Sequence, residues 1–358
     1  MANKQRLGII YGGKSSEHEV SIHTALSIIK AVDKARYDVL PIYIQVTGQW
    51  VEGSWVKEEP QHVDELRLSP EVYAAPDVFA LKEKLDVIFP VIHGPNGEDG
   101  TLQGFLELID VPYVGSGVLG SALGMDKVMM KEVFGNADIP QGAYRSYVRS
   151  RLQDGIDEVC REVEQSLGFP CFVKPANMGS SIGISKAKDQ ASLKKALLFA
   201  AKFDRKVIVE EFISGRELEI AVLGNDDPKT SVVGEIVSSN EFYDYEAKYK
   251  SDGTRLDIPA HVPQSVVDRM KELAVNAFLS LDCSGLSRVD FFWDEENDKL
   301  YINEINTLPG FTPFSMYPML WKEAGVSYPE LIDRLISLAG ERCREKKENE
   351  LVAESFYE

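Results

Sequence analysis

The sequence predicts an α/β protein of several domains, the first of them built on a parallel sheet. Three observations predict it. Strand and helix signals alternate through the first third of the chain, the βαβ order that sets parallel strands side by side. A chain of 358 residues is longer than one hydrophobic core ordinarily serves, which points to two or three domains. A hydrophobic content of 44% belongs to a globular protein, and no apolar run approaches the length of a membrane span.

The elements follow in order. Leu7 to Tyr11 reads as a buried strand and Gly12-Gly13-Lys14-Ser15 as a turn. Ser16-Glu17-His18-Glu19 matches a capping box and opens a helix to Val32. Tyr37–Gln45 and Val87–Ile92 read as strands. After the second come the Gly-rich loop His93–Gly100 and a helix over Thr101–Ile109. Loops after parallel strands are the usual ligand-facing side. A second unit begins near Met125, where Asp126 can cap a helix running to Phe134. Helices near Ile156–Leu167 and Ala191–Ala201 flank strands at Cys171–Lys174 and Val207–Phe212. A third unit runs from Arg216 to the end. It contains a hairpin of Ser287–Trp293 and Leu300–Asn306 across the polar turn Asp294–Lys299.

Composition narrows the function. A net charge of −18 disfavours nucleic acid as a partner, and any bound nucleotide needs local cations to offset that field. The N-terminal apolar segment is too short for a secretory signal. Cys160, Cys171, Cys283 and Cys343 are widely spaced without a CxxC, as expected for free thiols of a cytoplasmic protein. Gly8 to Ser15 formally matches G-x-x-x-x-G-K-S. Ile9, Ile10 and Tyr11 read as the strand itself, so a phosphate loop is rejected there. A dehydrogenase is excluded for lack of G-x-G-x-x-G.

Three stretches carry chemistry. Side chains alternate faces along a strand, so Arg288, Asp290 and Phe292 share one face of the hairpin, and Ile302, Glu304 and Asn306 share one face of the partner strand. Each acid alone reads as a solvated sheet-face residue. Asp290, Glu304 and Asn306 together, with Arg288 beside them, form a hard-oxygen set suited to Mg²⁺ and phosphate. In "FVKPANMGSSIGI", Lys174 ends a strand, and Gly179-Ser180-Ser181-Ile182-Gly183 offers backbone N–H groups and hydroxyls to an anion. In "VIVEEFISGREL", the edge Glu210, Glu211, Phe212 and Ile213 could present backbone groups to an adenine, and Glu217 could take ribose hydroxyls.

These features occur in the order seen in the ATP-grasp fold. "GGKSSEHEVS", "HGPNGEDGTLQG", "SALGMDK", "YDYEAKY", "SRVDFF" and "NEINTLPGFTPFSM" closely resemble D-alanine–D-alanine ligases, and the resemblance covers essentially the whole chain. It implies three α/β domains: a Rossmann-like substrate domain at 1–124, a central ATP-grasp lid at 125–215, and a C-terminal ATP-grasp domain at 216–358 with a mobile loop at 240–256. It implies ATP as substrate, two Mg²⁺ (or Mn²⁺) on Asp290, Glu304 and Asn306, and two D-alanine molecules. Lys127, Lys174, Ser181 and Lys248 would contact the nucleotide, and Arg288 and the Gly310 N–H the oxyanion. Glu17 would hold the first ammonium, with Ser180 and Tyr249 hydrogen-bonded to it and His93 nearby. Ser315 and Met316 would hold the second carboxylate. The family expectation is a cytoplasmic homodimer with no membrane partner. Ala176-Asn177-Met178 and Glu211 fall where relatives vary, which leaves a backbone contact at Glu211. Lys248-Tyr249 is the pair expected of dipeptide makers rather than of relatives that join D-lactate. Another ATP-grasp ligase, or an ATP sensor without turnover, are the competing readings; a sensor has no need of Arg288.

Overall fold

The structure, a computed structural model, describes residues 4–238 and 254–349. The first sheet contains β1 (Gln5–Gly12), β2 (Tyr37–Ile44), β3 (Trp50–Glu52) and β4 (Val87–Pro90), with helices α1 (His18–Ala31), α2 (Leu81–Lys84) and α3 (Thr101–Leu108). Its order is β3-β2-β1-β4. Strand β1 is parallel to β2 and β4, as the βαβ order requires, and β3 adds a short antiparallel edge. Ile9, Ile10 and Tyr11 are fully buried within β1, so the P-loop-like string is indeed strand. Gly12 has φ +88°, and a Cβ there would lie 2.2 Å from the Ile44 carbonyl oxygen. Only glycine fits that approach.

The expected capping box on α1 does not form. Glu17 occupies the N-cap position without a side-chain cap bond, and its N–H donates to Ser15 Oγ at 3.1 Å. The Glu19 carboxylate is drawn to Arg67 instead; a bidentate guanidinium outcompetes a single backbone N–H.

Helices α4 (Val118–Met125) and α5 (Lys127–Asn136) follow. Asp126 caps α5 by accepting from the N–H groups of Val128 and Met129. The second sheet has strands β5 (Tyr144–Val148), β6 (Cys171–Pro175), β7 (Ser185–Ala187) and β8 (Lys206–Glu211), in the order β5-β8-β6-β7 and antiparallel throughout. Helices α6 (Arg149–Ser166) and α7 (Gln190–Ala200) cover one face, where Val173, Val207 and Val209 meet Val163, Leu193 and Leu197. The other face presents Phe172, Lys174, Ile208 and Glu210.

The third sheet has β9 (Arg216–Gly224), β10 (Lys229–Ser238), β11 (Thr254–Asp257), β12 (Gly285–Asp294) and β13 (Lys299–Asn306), with α8 (Gln264–Ser280) packed against it. Its order is β11-β10-β9-β12-β13, all antiparallel. Most of the loop expected at 240–256 lies outside the described residues. Its last part is strand rather than loop: Thr254–Asp257 pairs with β10, because the β-rich Thr-Arg-Leu run completes a sheet edge. Helices α9 (Met316–Glu323) and α10 (Tyr328–Lys347) end the fold.

The first and third sheets share one core. Leu7 and Phe89 of the first join Ala221 and Leu286 of the third, with Leu331 and Leu335 of α10 completing the cluster. The second sheet's core is separate. Helix α5 touches both sides: Met130 and Phe134 pack with Val289 and Phe291 of the third sheet, and Val128 packs with Ile208 of the second. Among the described residues no helix is long and apolar enough to cross a membrane.

Candidate active site

The hairpin β12–β13 forms the floor of the site. Arg288 stands opposite Asn306, and Asp290 opposite Glu304. The register then slips by one residue, so Phe291 faces Ile302 and Asn303 is the extra residue of a bulge. This corrects one expectation: Ile302 does not share a face with Glu304. The bulge turns Ile302 into the core of the third sheet, while Glu304 and Asn306 remain on the open face. Arg288 donates from Nε and Nη2 to the two oxygens of Asp290, each at 2.7 Å. Its Nε also lies 3.0 Å from Glu219 Oε2, and Asn306 Nδ2 donates to Asp290 Oδ2 at 3.0 Å. Burial opposes the guanidinium's charge, but Asp290 and Glu219 more than reverse this and push its pKa further up.

Cations and acids alternate above that floor. Lys127 lies 3.2 Å from Glu304 Oε2 and donates to the Met178 carbonyl at 3.1 Å. Lys174 sits 2.6 Å from Glu210 Oε2 and 3.5 Å from Asn303 Oδ1. Lys131 sits 2.9 Å from Glu210 Oε1. Burial alone would raise the carboxyls of Glu304 and Glu210; the neighbouring lysines bring each down to about 2. A chain carrying −18 overall thus gathers five cations, Lys127, Lys131, Lys174, Arg216 and Arg288, around one cavity.

The loop after β6 closes the near end. Ser180 and Ser181 have φ +52° and +57°, a left-handed conformation uncommon outside glycine that clusters at ligand sites. It turns successive N–H groups toward one side. The Ser180 hydroxyl donates to Glu17 Oε1, which ties this loop to the start of α1. His93, buried at 4% exposure, lies 3.6 Å from Glu98 Oε1 and 3.3 Å from the Leu308 carbonyl oxygen. Burial opposes its protonation, but Glu98 raises its pKa.

At the far end run Glu210, Glu211, Phe212 and Ile213. The Glu211 carboxylate accepts from the Ala143 N–H at 2.6 Å, and its own N–H donates to the Ala143 carbonyl at 3.0 Å. The Phe212 ring lies 6.1 Å from that of Phe172 and has the Lys186 ammonium 4.4 Å from its centroid. Glu217, on β9, stands opposite Phe292 of β12. One cavity of about 470 Å³ joins these groups: Lys127, Lys174 and Ser180 line it together with Phe212, Glu217, Arg288, Asp290 and Glu304.

Comparison with known proteins identifies the family. Residues 6–116 match the D-ala D-ala ligase N-terminus, and residues 133–337 match the D-ala D-ala ligase C-terminus. The chain belongs to the D-alanine–D-alanine ligase family. The D-alanine–D-alanine ligase of Bacillus cytotoxicus is 52% identical, over 96% of this chain and 98% of that protein. The one from Geobacillus kaustophilus is 51% identical, over 96% and 97%. Among solved structures, the D-alanine–D-alanine ligase of Coxiella burnetii aligns with TM-score 0.81 at 33% identity, over 97% of each chain. The VanG D-Ala:D-Ser ligase of Enterococcus faecalis aligns with TM-score 0.81 at 33% identity, over 94% of this chain and all of that one. The fold is the ATP-grasp fold of this ligase family.

Gly310, Ser315 and Met316, also expected from the ligase motifs, lie together at the start of α9. Ser315 is the N-cap of α9, and its Oγ accepts from the Thr312 N–H at 3.1 Å. A Cβ on Gly310 would lie 3.2 Å from that Oγ, so the glycine backbone runs beside it. Met316 is different: its side chain belongs to the core shared by the first and third sheets, which leaves its backbone N–H as the group it can offer. Tyr249 and Lys248 lie outside the described residues. Sequence reasoning missed Glu219, Glu98 and Lys131. Glu219 sits opposite Asp290 on a strand with no turn or motif to mark it. Glu98 was quoted within a motif but given no role. Lys131, four residues after Lys127 on one helix, shows its position at i+4 but not its burial.

Proposed function

We propose that this chain joins two D-alanine molecules into D-alanyl-D-alanine, driven by ATP, for peptidoglycan precursor synthesis. The observation that carries the reading is the meeting of Arg288, the facing pair Asp290 and Glu304, and the two lysines Lys127 and Lys174 in one cavity. Nucleotide binding alone needs the lysines; it does not need a buried, directional guanidinium beyond the acids.

In the first step the carboxylate of one D-alanine attacks the γ-phosphorus of ATP; ADP leaves and an acyl phosphate forms. Such transfers depend on positioning and charge neutralisation. Lys127 and Lys174 supply positive charge, Ser181 and its loop supply N–H donors, and Lys248 is proposed to join them. In the second step the amine of the other D-alanine attacks the acyl carbon. The carbonyl oxygen becomes an oxyanion, and phosphate then leaves with the C–O bond electrons. Arg288 and the Gly310 N–H would meet that oxyanion, the kind of fixed donor that acts strongly in a dry site. Glu17 would hold the first ammonium, with Ser180 and Tyr249 fixing it and His93 beside it. Ser315 and the Met316 N–H at the start of α9 suit the second carboxylate. Glu210 to Ile213 and Glu217 would hold adenine and ribose.

The acids also fit divalent cations. Among the described residues no three His, Cys, Asp or Glu side chains converge as a cage. Mg²⁺ does not need one, since it takes one or two carboxylates plus substrate phosphates. Asp290, Glu304 and Asn306 would hold two Mg²⁺, or Mn²⁺, which when bound neutralise the charge of the phosphates. In the domain arrangement we propose, 1–124 binds substrate, 125–215 acts as lid and 216–358 carries the metal acids. The ATP requirement and free thiols (Cys160, Cys171 and Cys283 are buried and none is bridged) favour the cytoplasm. The assembly we propose is a homodimer, as in the family.

The test is phosphate release from ATP and Mg²⁺ with D-alanine, L-alanine, or D-alanine plus D-serine or D-lactate, with product mass read in parallel. D-serine is included because the VanG relative is a D-Ala:D-Ser ligase. Release with D-alanine alone and a dipeptide mass is the expected result. ATP binding without release under any condition would overturn the reading in favour of a sensor.

A further inference from the structure

We infer that Lys131 is a positioning residue for the ATP reaction: it holds the Glu210 carboxylate, so that Lys174 can leave that carboxylate for the triphosphate. The inference rests on the ligase reading above and adds a role to it.

Lys131 is an unusual lysine. Its side chain is 3% exposed, and lysines are almost never fully buried unless paired. It rises from α5, between the second and third sheets, and its ammonium sits 2.9 Å from Glu210 Oε1 and 5.7 Å from the Tyr144 ring centroid. The other Glu210 oxygen lies 2.6 Å from Lys174. One buried acid is therefore shared by two lysines from different elements, Lys131 buried and Lys174 part-buried.

The two lysines are not equivalent. Lys174 lies at the end of β6, just before the serine loop, and reaches Asn303 on the opposite wall. Lys131 is turned to Glu210 and the tyrosine, and its backbone carbonyl is held by Gln141 Nε2 at 2.8 Å. A triphosphate entering the cavity competes with Glu210 for Lys174. If Lys174 turns away, Glu210 keeps Lys131 and remains a paired ion. Without Lys131, the same movement would strand a buried carboxylate, and breaking a buried pair by removing one partner is strongly unfavourable. Lys174 would then stay on Glu210, and the nucleotide would lose a cation. The chemistry at Arg288 would be untouched.

Lys131→Met tests this in the full-length enzyme, with initial rates measured against ATP at saturating D-alanine. The expected result is a KM for ATP raised by roughly one to two orders of magnitude, with kcat changed far less. Lys131→Arg, which keeps the charge, should recover most of the loss. In the Glu210→Gln background the acid is gone, so adding Lys131→Met should change the KM for ATP by less than about twofold. That comparison also decides the matter if Lys131→Met alone does not fold. A folded Lys131→Met enzyme with native KM for ATP overturns the inference, as does a Glu210→Gln/Lys131→Met enzyme in which the two losses multiply. If the native protein turns over no ATP with D-alanine, it is the ligase reading that fails.

Discussion

The molecule has two parts that hold their active-site residues in different ways. In one, the first and third sheets and α10 pack around a single apolar cluster. It carries Glu17, Arg288, Asp290, Glu304 and the Gly310–Ser315 segment. In the other, the second sheet has its own small core and carries Lys174, the serine loop and Glu210. Groups within the first part are fixed by strand pairing: Asp290 faces Glu304 across one ladder and Glu219 across the next. Contacts between the parts are polar and few-pointed, such as Ser180 to Glu17 and Lys174 to Asn303, with α5 bridging them. The difference teaches where precision lies and where movement is affordable. Arg288, Asp290 and Glu304, the groups proposed for the oxyanion and the metal, sit on paired strands that cannot shift one without the others. Lys174 and the serine loop, proposed to face the phosphates, sit on a unit with a core of its own, joined to the rest through α5 and through polar contacts.

Perturbing each part should sharpen that contrast. The largest effect belongs to Arg288→Ala, which should lower turnover by roughly two to three orders of magnitude while ATP still binds by calorimetry. An unfolded protein without nucleotide binding would show instead that Arg288 serves the fold.

Next are two core truncations. Leu335→Ala and Leu197→Ala each remove a fully buried side chain and should cost about 2–5 kcal/mol. Leu335→Ala should lower the main thermal transition. Leu197→Ala should open the second sheet alone, seen as new proteolytic cuts within 144–211 while the rest stays resistant. Identical single transitions for both would break the comparison.

A shift with pH follows. Glu210 is held at about 2 against an ordinary value of 4.5, a folded-state pKa below the unfolded one. Its contribution to stability is therefore full above about 4.5 and is lost as pH falls toward 2. Thermal melts between pH 6 and 2 should show a shallower acid loss in Glu210→Gln; an unchanged acid limb would count against the paired lysines.

A smaller effect is expected of Ser180→Ala, which removes a hydrogen bond to a charged group, worth about 1.5–3 kcal/mol. The KM for D-alanine should rise by roughly tenfold or somewhat more, with a modest fall in melting temperature. Smallest is Arg36→Ala: its pair with Asp333 of α10 is partly exposed, and such pairs contribute about 0–1 kcal/mol, so the melting temperature should barely move.

Much of this was legible in the sequence because it depends on local pattern. The alternation of apolar residues located β1, β12 and β13, and Asp126 capped its helix as its position foretold. The acids of the hairpin stood out because strand periodicity put them opposite one another. What was illegible depends on the third dimension. The bulge at Asn303 that turns Ile302 inward is a slip of register, which periodicity alone assigns wrongly. Glu219 matters only because β9 pairs with β12, and strand neighbours distant in sequence leave no local mark. Lys131 looks like any helical lysine until a second sheet buries it. The antiparallel order of the second and third sheets, likewise, is set by which edges meet rather than by composition.

One feature of the fold bears on how the chain is made. Helix α10 lies in the core shared by both sheets and reaches back to the N-terminal unit, where Asp333 meets Arg36 across 297 positions and Arg342 covers the Tyr113 ring at 4.2 Å. A ribosome releases residues in order, N-terminal ones first. The second sheet, whose strands all fall between 144 and 211, can close while synthesis continues. The first sheet, although translated earliest, has an apolar face that stays open until the last helix emerges, so the part of the protein born first is among the last to be finished.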